Sequence, residues 1–305
     1  RLREQRDQPG LMGRSIAQLQ AFLAPHLAQP GDIPGHGEAG SCAHNQHQLN
    51  HRLCEAAGML YQITGERHLA QYAGDLLTRY ANVYLKLGFQ KAKNTNPAGR
   101  IFHQILNENI WLLSMSMGYG CIKDTLTAAD REHIESQLLR PAVSMMTELY
   151  AHDFATIHNH GLWGAAAVGT TGLVLGDEAY LGLALDGLAG DRTSGGFLAQ
   201  LSLLFAPSGY YIEGPYYHRF ALRPLLTFSE VLHTHRPDLN IYSYKDGVIG
   251  KTIKALLSTV YPDGSFPALN DASRTMGIHD EGVLLSAAVG HARYGQDAAV
   301  PAIQA

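Results

Sequence analysis

AHNQHQLNHRLCEAAGMLYQITGERHLAQYAGDLLTRYANVYLKL, residues 43–87, carries the pattern that decides the fold. Leu49, Leu53, Ala56, Ala57, Leu60 and Ile63 recur at the spacing of one helix face. After Thr64-Gly65 the same spacing returns in Leu69, Tyr72, Ala73, Leu76, Leu77 and Tyr80. Gly65 suits a helix C-cap, because glycine enters the left-handed region without a Cβ penalty. Long helix, short glycine turn, long helix predicts an antiparallel hairpin.

Outward from this pair the pattern repeats. Residues 14–28 place Ile16, Leu19, Phe22 and Leu23 on one face. Residues 101–121 and 128–150 predict a second pair, with Thr127 or Asp130 as cap. Residues 159–175 predict a helix ending at Gly176, with Asp177 opening the next, and 195–206, 217–234, 246–260 and 280–293 complete the series. Strand signals are weak, the best being Tyr-Ser-Tyr at 242–244. The run GLWGAAAVGTTGLVLG (161–176) is rich in glycine, which lowers the stability of an isolated helix by up to about 1 kcal/mol each. Such residues gain their value where helices approach closely. The expected fold is all-α, an incomplete α/α toroid of antiparallel helical hairpins forming one domain over 1–305, with loops at one end making a long cleft. The final RYGQDAAVPAIQA (293–305) reads as the start of a further segment, so a longer parent protein is expected.

Composition narrows the function. The 305 residues carry 23 Lys+Arg against 27 Asp+Glu, so no basic surface suited to nucleic acid is expected. With 46% hydrophobic and 16% charged residues, a packed core is expected rather than disorder. No run approaches the roughly 20 apolar residues of a membrane span. Three cysteines, Cys42, Cys54 and Cys121, form neither a disulfide framework nor a CxxC zinc site. No leader is read at Arg1, and since leaders are removed on export this does not fix the compartment. The 16 His and 15 Tyr are an unusual stock of groups that donate, accept and stack.

These groups cluster in five places. His158-Asn159-His160-Gly161 precedes the glycine-rich helix, where backbone N–H groups and the helix dipole favour anions. Its bland reading is an N-cap with solvated histidines. In Gly209–Phe220 (GYYIEGPYYHRF), Gly-Pro breaks the chain and four tyrosines, a Glu and an Arg crowd one turn. Such a cluster packs or stacks on sugars, and a tyrosine beside a cation can transfer protons. Asp263–Arg274 (DGSFPALNDASR) is a polar loop, explicable also as turn chemistry. Gln104, Asn107 and Glu108 are expected to share a helix face. His44, His47 and His51 fall at i, i+3 and i+7, a spacing that permits a metal but lacks a carboxylate or thiolate ligand, so a polar cleft wall is preferred.

The run YYIEGPYYHRFALRPLL (210–226), the Asn-His-Gly of 159–161 and FPALNDASR (266–274) together resemble the heparinase II/III-like polysaccharide lyases. Within them the chain looks most like the alginate and oligoalginate lyases of polysaccharide lyase family 17. LYQITGERHLAQYAGDLL (60–77) is similar to that superfamily's toroid repeats, and the resemblance spans roughly residues 40–290. His218 and Phe220 depart from the pattern, which has Gln and Tyr there.

The resemblance implies β-elimination on a 4-linked uronic-acid polymer or oligomer, most of all alginate. A base removes the C5 proton, and an acid protonates the oxygen leaving C4. Neutral or cationic donors must first quench the adjacent carboxylate so that charge can build on it. Asn159 and His160 match the family's neutralising positions, Tyr217 its catalytic acid, and Arg219 a contact to the substrate carboxylate. Gln104 is a looser match, and Tyr216, His158, Asn270 and Arg274 are expected to line the substrate. The base, a second Tyr or the His itself, is left open. No cofactor or metal is expected. The family's C-terminal antiparallel β-sandwich is not in this chain, and is expected either as a second chain or as a separate portion. A periplasmic or secreted location follows. Three other readings compete, the first a lyase acting on another uronan, of heparan or glucuronan type. A glycoside hydrolase needs two carboxyl groups roughly 5–10 Å apart, such as Glu213 with Asp153, Asp263 or Asp271. A non-catalytic oligosaccharide-binding protein needs neither.

Overall fold

The computed structural model describes residues 10–28, 31–92 and 96–295; the closing segment 296–305, and with it the expected continuation, lies outside the described residues. The chain divides into two compact units. One takes in the chain up to Tyr150 with Thr170–Asp177, and the other Ala151–Gly169 with the chain from Glu178 onward. Among the described residues, extended pairing is confined to isolated bridges (Gly37 with Phe102, Phe205 with Tyr211, Ser265 with Gly277), so the fold is all-α as expected.

The first unit holds α1 (Leu11–Leu23), α2 (Cys42–Thr64), α3 (Arg67–Val83) and α4 (Ile105–Ile122). Next comes α5 (Ala128–Ile134), which runs through a widened π turn, Glu135–Leu139, into α6 (Arg140–Ser144) and a second π turn, Met145–Leu149. The α2–α3 hairpin forms as predicted. Gly65 is left-handed (φ 77°) and its N–H donates to the Tyr61 carbonyl at 2.8 Å. Thr127 is the cap of α5, its hydroxyl accepting from the Asp130 N–H at 3.1 Å. Leu53 and Ala57 of α2, Leu76, Leu77 and Tyr80 of α3, and Trp111, Leu112 and Met115 of α4 are fully buried.

Glycine sets the distance between α2 and α4. A Cβ on Gly118 would lie 2.7 Å from the Cys54 sulfur and 3.0 Å from the Cys54 carbonyl carbon, and one on Gly58 would lie 3.0 Å from the Gly118 oxygen. The two helices therefore touch backbone to backbone, the role expected for glycines inside helices.

The buried face of α2 begins with His44, His47, Asn50 and His51 rather than with Leu49, which is half-buried. His47 bonds the Tyr80 hydroxyl at 2.8 Å and the Gly35 carbonyl at 2.9 Å, so both ring nitrogens are spent on packing. Helix α4 starts at Ile105, not 101, and the reason is Glu108. Its fully buried carboxylate accepts from the backbone N–H groups of Arg100 (3.1 Å), Ile101 (3.0 Å) and Phe102 (3.2 Å), and from the Tyr84 hydroxyl (2.8 Å). These donors hold 100–102 as a loop. Gln104 consequently lies in extended backbone ahead of α4, not on a helix face with Asn107 and Glu108.

The second unit holds α7 (Ala151–Ala155), the start of α8 (Asn159–Leu175), α9 (Glu178–Asp186), α10 (Gly196–Leu203), α11 (Pro215–His235), α12 (Tyr244–Leu257) and α13 (Glu281–Tyr294). Gly169 faces Phe228, and a Cβ there would lie 2.2 Å from the ring. Gly282 of α13 faces the Arg219 carbonyl of α11, which a Cβ would approach to 2.5 Å. Arg293 bonds Glu230 through Nε at 2.7 Å, and Tyr242 also donates to Glu230, clamping α13 to α11. The Tyr-Ser-Tyr at 242–244 is not a strand: Ile241–Ser243 forms a 3₁₀ turn. Lys245, Asp246 and Gly247 are left-handed (φ 48°, 55° and 69°), so the regular part of α12 starts at Val248.

Two predictions follow from this packing. Gly118→Ala raises helix propensity by up to about 1 kcal/mol but overpacks the α2–α4 contact, and should lower stability by about 1–3 kcal/mol in urea denaturation. Burial holds His47 down to about 4 and His218 to about 3, well below the ordinary histidine range. The unfolded chain therefore takes up protons that the folded chain refuses as pH falls below about 6.5, and stability is lost with acid. His218→Gln keeps a donor for Thr252 but does not titrate. It should remove about 2 kcal/mol of the destabilisation measured between pH 7 and pH 5.

Candidate functional site

The second unit carries every residue to which the family resemblance gives a role except Gln104, which belongs to the first. Helix α8 opens at Asn159 because His158 caps it. The His158 carbonyl accepts from the Leu162 N–H at 3.0 Å, and its ring Nδ1 accepts from the His160 N–H at 3.4 Å. An accepting Nδ1 places the ring proton on Nε2, and Nε2 faces the Glu213 carboxylate at 3.4 Å. Asn159 is thus freed from the capping role. It is almost wholly buried, and its amide nitrogen donates to Glu213 Oε2 at 3.2 Å. Its Oδ1 is buried with no hydrogen-bond partner. Gly161 is demanded by space, since a Cβ would lie 2.0 Å from the Thr156 carbonyl oxygen. That oxygen accepts from Gln200 at 2.7 Å.

Glu213 arrives from the other motif. Tyr211 is fully buried and pairs with Phe205, and the Gly214 N–H donates to the Tyr211 carbonyl at 3.0 Å. Gly214 takes φ 85° before Pro215 starts α11. This tight turn sets Glu213 facing α8, where Tyr211 also donates to it. One carboxylate therefore gathers Tyr211, Asn159 and His158. Burial, then the hydrogen bond to Glu213, holds the Tyr211 phenol protonated, far above the usual tyrosine range. His160 packs against His158 with ring centroids 5.0 Å apart. Burial lowers its pKa to about 4, with His158 adding to the shift and Glu213 opposing it. It is an uncharged imidazole at neutral pH.

Tyr217 lies on the first turn of α11, half-buried. Its hydroxyl donates to Asp271 at 3.1 Å. Burial and then Asp271 raise its pKa, and the Glu213 charge acts on it in the same direction. Phe220 links it to α8, lying 6.2 Å from Tyr217 and 5.4 Å from Trp163 between ring centroids. The carboxylate of Glu213 thus touches Asn159, His158 and Tyr211, whereas Tyr217 is held by Asp271.

Other expected residues are placed differently. Arg219 stacks over Tyr216 at 4.4 Å and pairs with Asp280 at 3.2 Å, with its side chain only 15% exposed. It is largely committed within the unit, and its buried Nε has no acceptor. Asn270 takes a left-handed φ of 59° and donates to the Ile212 carbonyl at 3.4 Å, which ties the 263–274 loop to the Glu213 turn. Arg274 is exposed. His218, one departure from the family pattern, is fully buried and bonded to Thr252 at 2.6 Å, so it packs the interior rather than lining a subsite. Glu213, Asp271 and Asp280 carry the contacts that sequence reasoning did not assign. The partners lie 54 to 61 residues apart, and only the Glu inside the tyrosine cluster gave a signal. Among the described residues no three His, Cys, Asp or Glu side chains stand together to hold a metal ion. No described helix is long and apolar enough to cross a membrane.

A family model described as Alginate lyase matches residues 24–266. An alginate lyase of Stenotrophomonas maltophilia (strain K279a) is 38% identical over 282 residues, covering 92% of this chain and 38% of that protein. An exo-oligoalginate lyase of Saccharophagus degradans (strain 2-40) is 38% identical over 261 residues, covering 85% of this chain and 35% of that protein. The chain thus spans under two-fifths of the length of these relatives. A crystal structure of an alginate lyase from Bacteroides ovatus superposes with a TM-score of 0.65 at 14% identity, over 94% of this chain and 87% of that one, and so shares the fold. By the extent of the family match, the chain belongs to the alginate lyase family.

Proposed function

We propose that the protein cleaves alginate, a 4-linked uronic-acid polymer, by β-elimination. Asn159 and His160 neutralise the substrate carboxylate, and Tyr217 donates the proton to the leaving oxygen. The observation that carries this reading is that one compact unit holds a buried amide, an uncharged imidazole packed on the ring that faces the same carboxylate, and a protonated, half-buried phenol linked to their helix through Phe220 and Trp163.

The chemistry asks for this set. The C5–H bond breaks and its proton passes to a base. Its electron pair forms the C4–C5 double bond, the C4–O bond breaks, and the leaving oxygen takes a proton. Charge building on the C5 carboxylate is stabilised by donors fixed in advance. Asn159 supplies an N–H, and an imidazole that is neutral at pH 7 donates or accepts without adding charge. Tyr217 suits the acid role because burial and Asp271 keep its proton on. Tyr211 does not suit the base role, since it is buried and bonded to Glu213. Arg219, with Tyr216, Asn270 and Arg274, is proposed to contact the substrate. For Arg219 this requires the guanidinium to share itself with Asp280. A hollow in the first unit lined by Arg67, Asp75, Asp124 and Asp130 has more carboxylates than cations and does not suit a polyanion. A substrate that is itself an extracellular polymer fits a periplasmic or secreted enzyme, acting as one domain with the β-sandwich of the longer family members.

Mixing the full-length protein with alginate should produce the ultraviolet absorbance of an unsaturated uronate. Tyr217→Phe should lower that rate by at least about 100-fold. No absorbance with alginate or other uronans refutes the proposal. Reducing ends without absorbance would indicate hydrolysis, and affinity without turnover, unchanged in Tyr217→Phe, a binding protein.

A further inference from the structure

We propose that Glu213 is the positioning residue of this site: its carboxylate fixes the Asn159 amide, the His158 ring and the Tyr211 phenol in one arrangement, so that Asn159 and His160 meet the substrate already aligned. The inference rests on the proposed lyase reading for what the alignment serves, and on the contacts themselves for its existence.

An ionised carboxylate only accepts hydrogen bonds. Facing Asn159 at 3.2 Å, it determines that the amide presents nitrogen rather than oxygen to this side of the site. The opposite amide oxygen stays buried without a partner, a cost that persists only where the surrounding contacts over-determine the orientation. Facing His158 Nε2 at 3.4 Å, the carboxylate favours the tautomer in which Nδ1 accepts from the His160 N–H, and so ties the first turn of α8 to the ring. Tyr211 anchors the carboxylate from below, itself locked by full burial and by its pairing with Phe205.

A negative charge placed here is otherwise a disadvantage, because it repels the uronate that must bind. Charge and position therefore predict opposite effects of removing it. A carboxylate that acted only through its charge would weaken substrate binding, and Glu213→Gln would lower KM and leave kcat unchanged. A positioning carboxylate predicts a fall in kcat, because the Gln amide replaces one of the two accepting oxygens by a donor, which then faces either His158 Nε2 or the Asn159 and Tyr211 donors. Misplacement of about 1 Å lowers rates by up to 100-fold.

The test is kinetics on the full-length protein with alginate, together with nitrogen-15 spectra of the histidine rings. Glu213→Gln should lower kcat by 10- to 100-fold with KM equal or lower. His158 should lose its single-tautomer signature, and His160 should titrate at lower pH than in the wild type because the nearby negative charge is gone. Tyr211→Phe, which keeps the carboxylate and removes one donor, should lower kcat several-fold at unchanged KM, and serves where Glu213→Gln does not fold. A wild-type kcat in either variant, an unchanged His158 tautomer in Glu213→Gln, or a kcat loss matched by an equal rise in KM overturns the proposal. If the wild type eliminates nothing from alginate, the lyase reading fails, while the His158 tautomer comparison still decides whether Glu213 positions the ring.

Discussion

The carboxylate of Glu213 draws the two motifs of the second unit into one site. Asn159 and Glu213 stand 54 residues apart in the chain and meet at 3.2 Å. Neither motif explains itself alone. The His158–Gly161 segment starts a helix, and the Gly209–Phe220 segment turns the chain from one helix into the next. An acceptor supplied by the second segment gives the donors of the first their direction. The direction of a hydrogen bond, not its strength, is the constraint here. Each of these contacts contributes only about 1.5–3 kcal/mol net, yet together they decide which atom of an amide and which nitrogen of an imidazole face the carboxylate.

The first unit uses the same device for another purpose. Glu108 is fully buried and accepts from three consecutive backbone N–H groups and from Tyr84. Burial pushes its pKa up and the four donors pull it down. The result is a loop held where a helix would otherwise have begun. A carboxylate facing several backbone N–H groups competes with the helix for them, which is why α4 starts later than its apolar spacing suggests.

Most of the fold is legible in the sequence because apolar spacing reports the buried face of an amphipathic helix, and α2 and α3 obey it from Leu53 to Tyr80. Helix α8 is legible for a different reason. Its glycines and alanines fit close approach, and Gly169 against Phe228 bears this out. The reading fails where a side chain replaces backbone order. Gln104 leaves the helix because of Glu108, and residues 242–247 fold into a 3₁₀ turn and a left-handed stretch rather than a strand. At the candidate site, residue types brought out the two motifs, and the resemblance to the polysaccharide lyases singled out Asn159, His160 and Tyr217 within them. The pairing of Arg219 with Asp280 spans 61 residues and leaves no periodic trace. His218, a departure from the family pattern, is interior packing, bonded to Thr252.

The glycine of Asn-His-Gly has a different standing from its neighbours. Asn159 and His160 carry donors, whereas Gly161 carries nothing and is required because the Thr156 carbonyl oxygen would stand 2.0 Å from any Cβ placed there. The third letter of the motif therefore measures a gap between two stretches of main chain. A pattern search built on these three residues selects a shape before it selects a reactivity, and a relative that kept the gap while exchanging the amide or the imidazole would preserve the scaffold with altered chemistry.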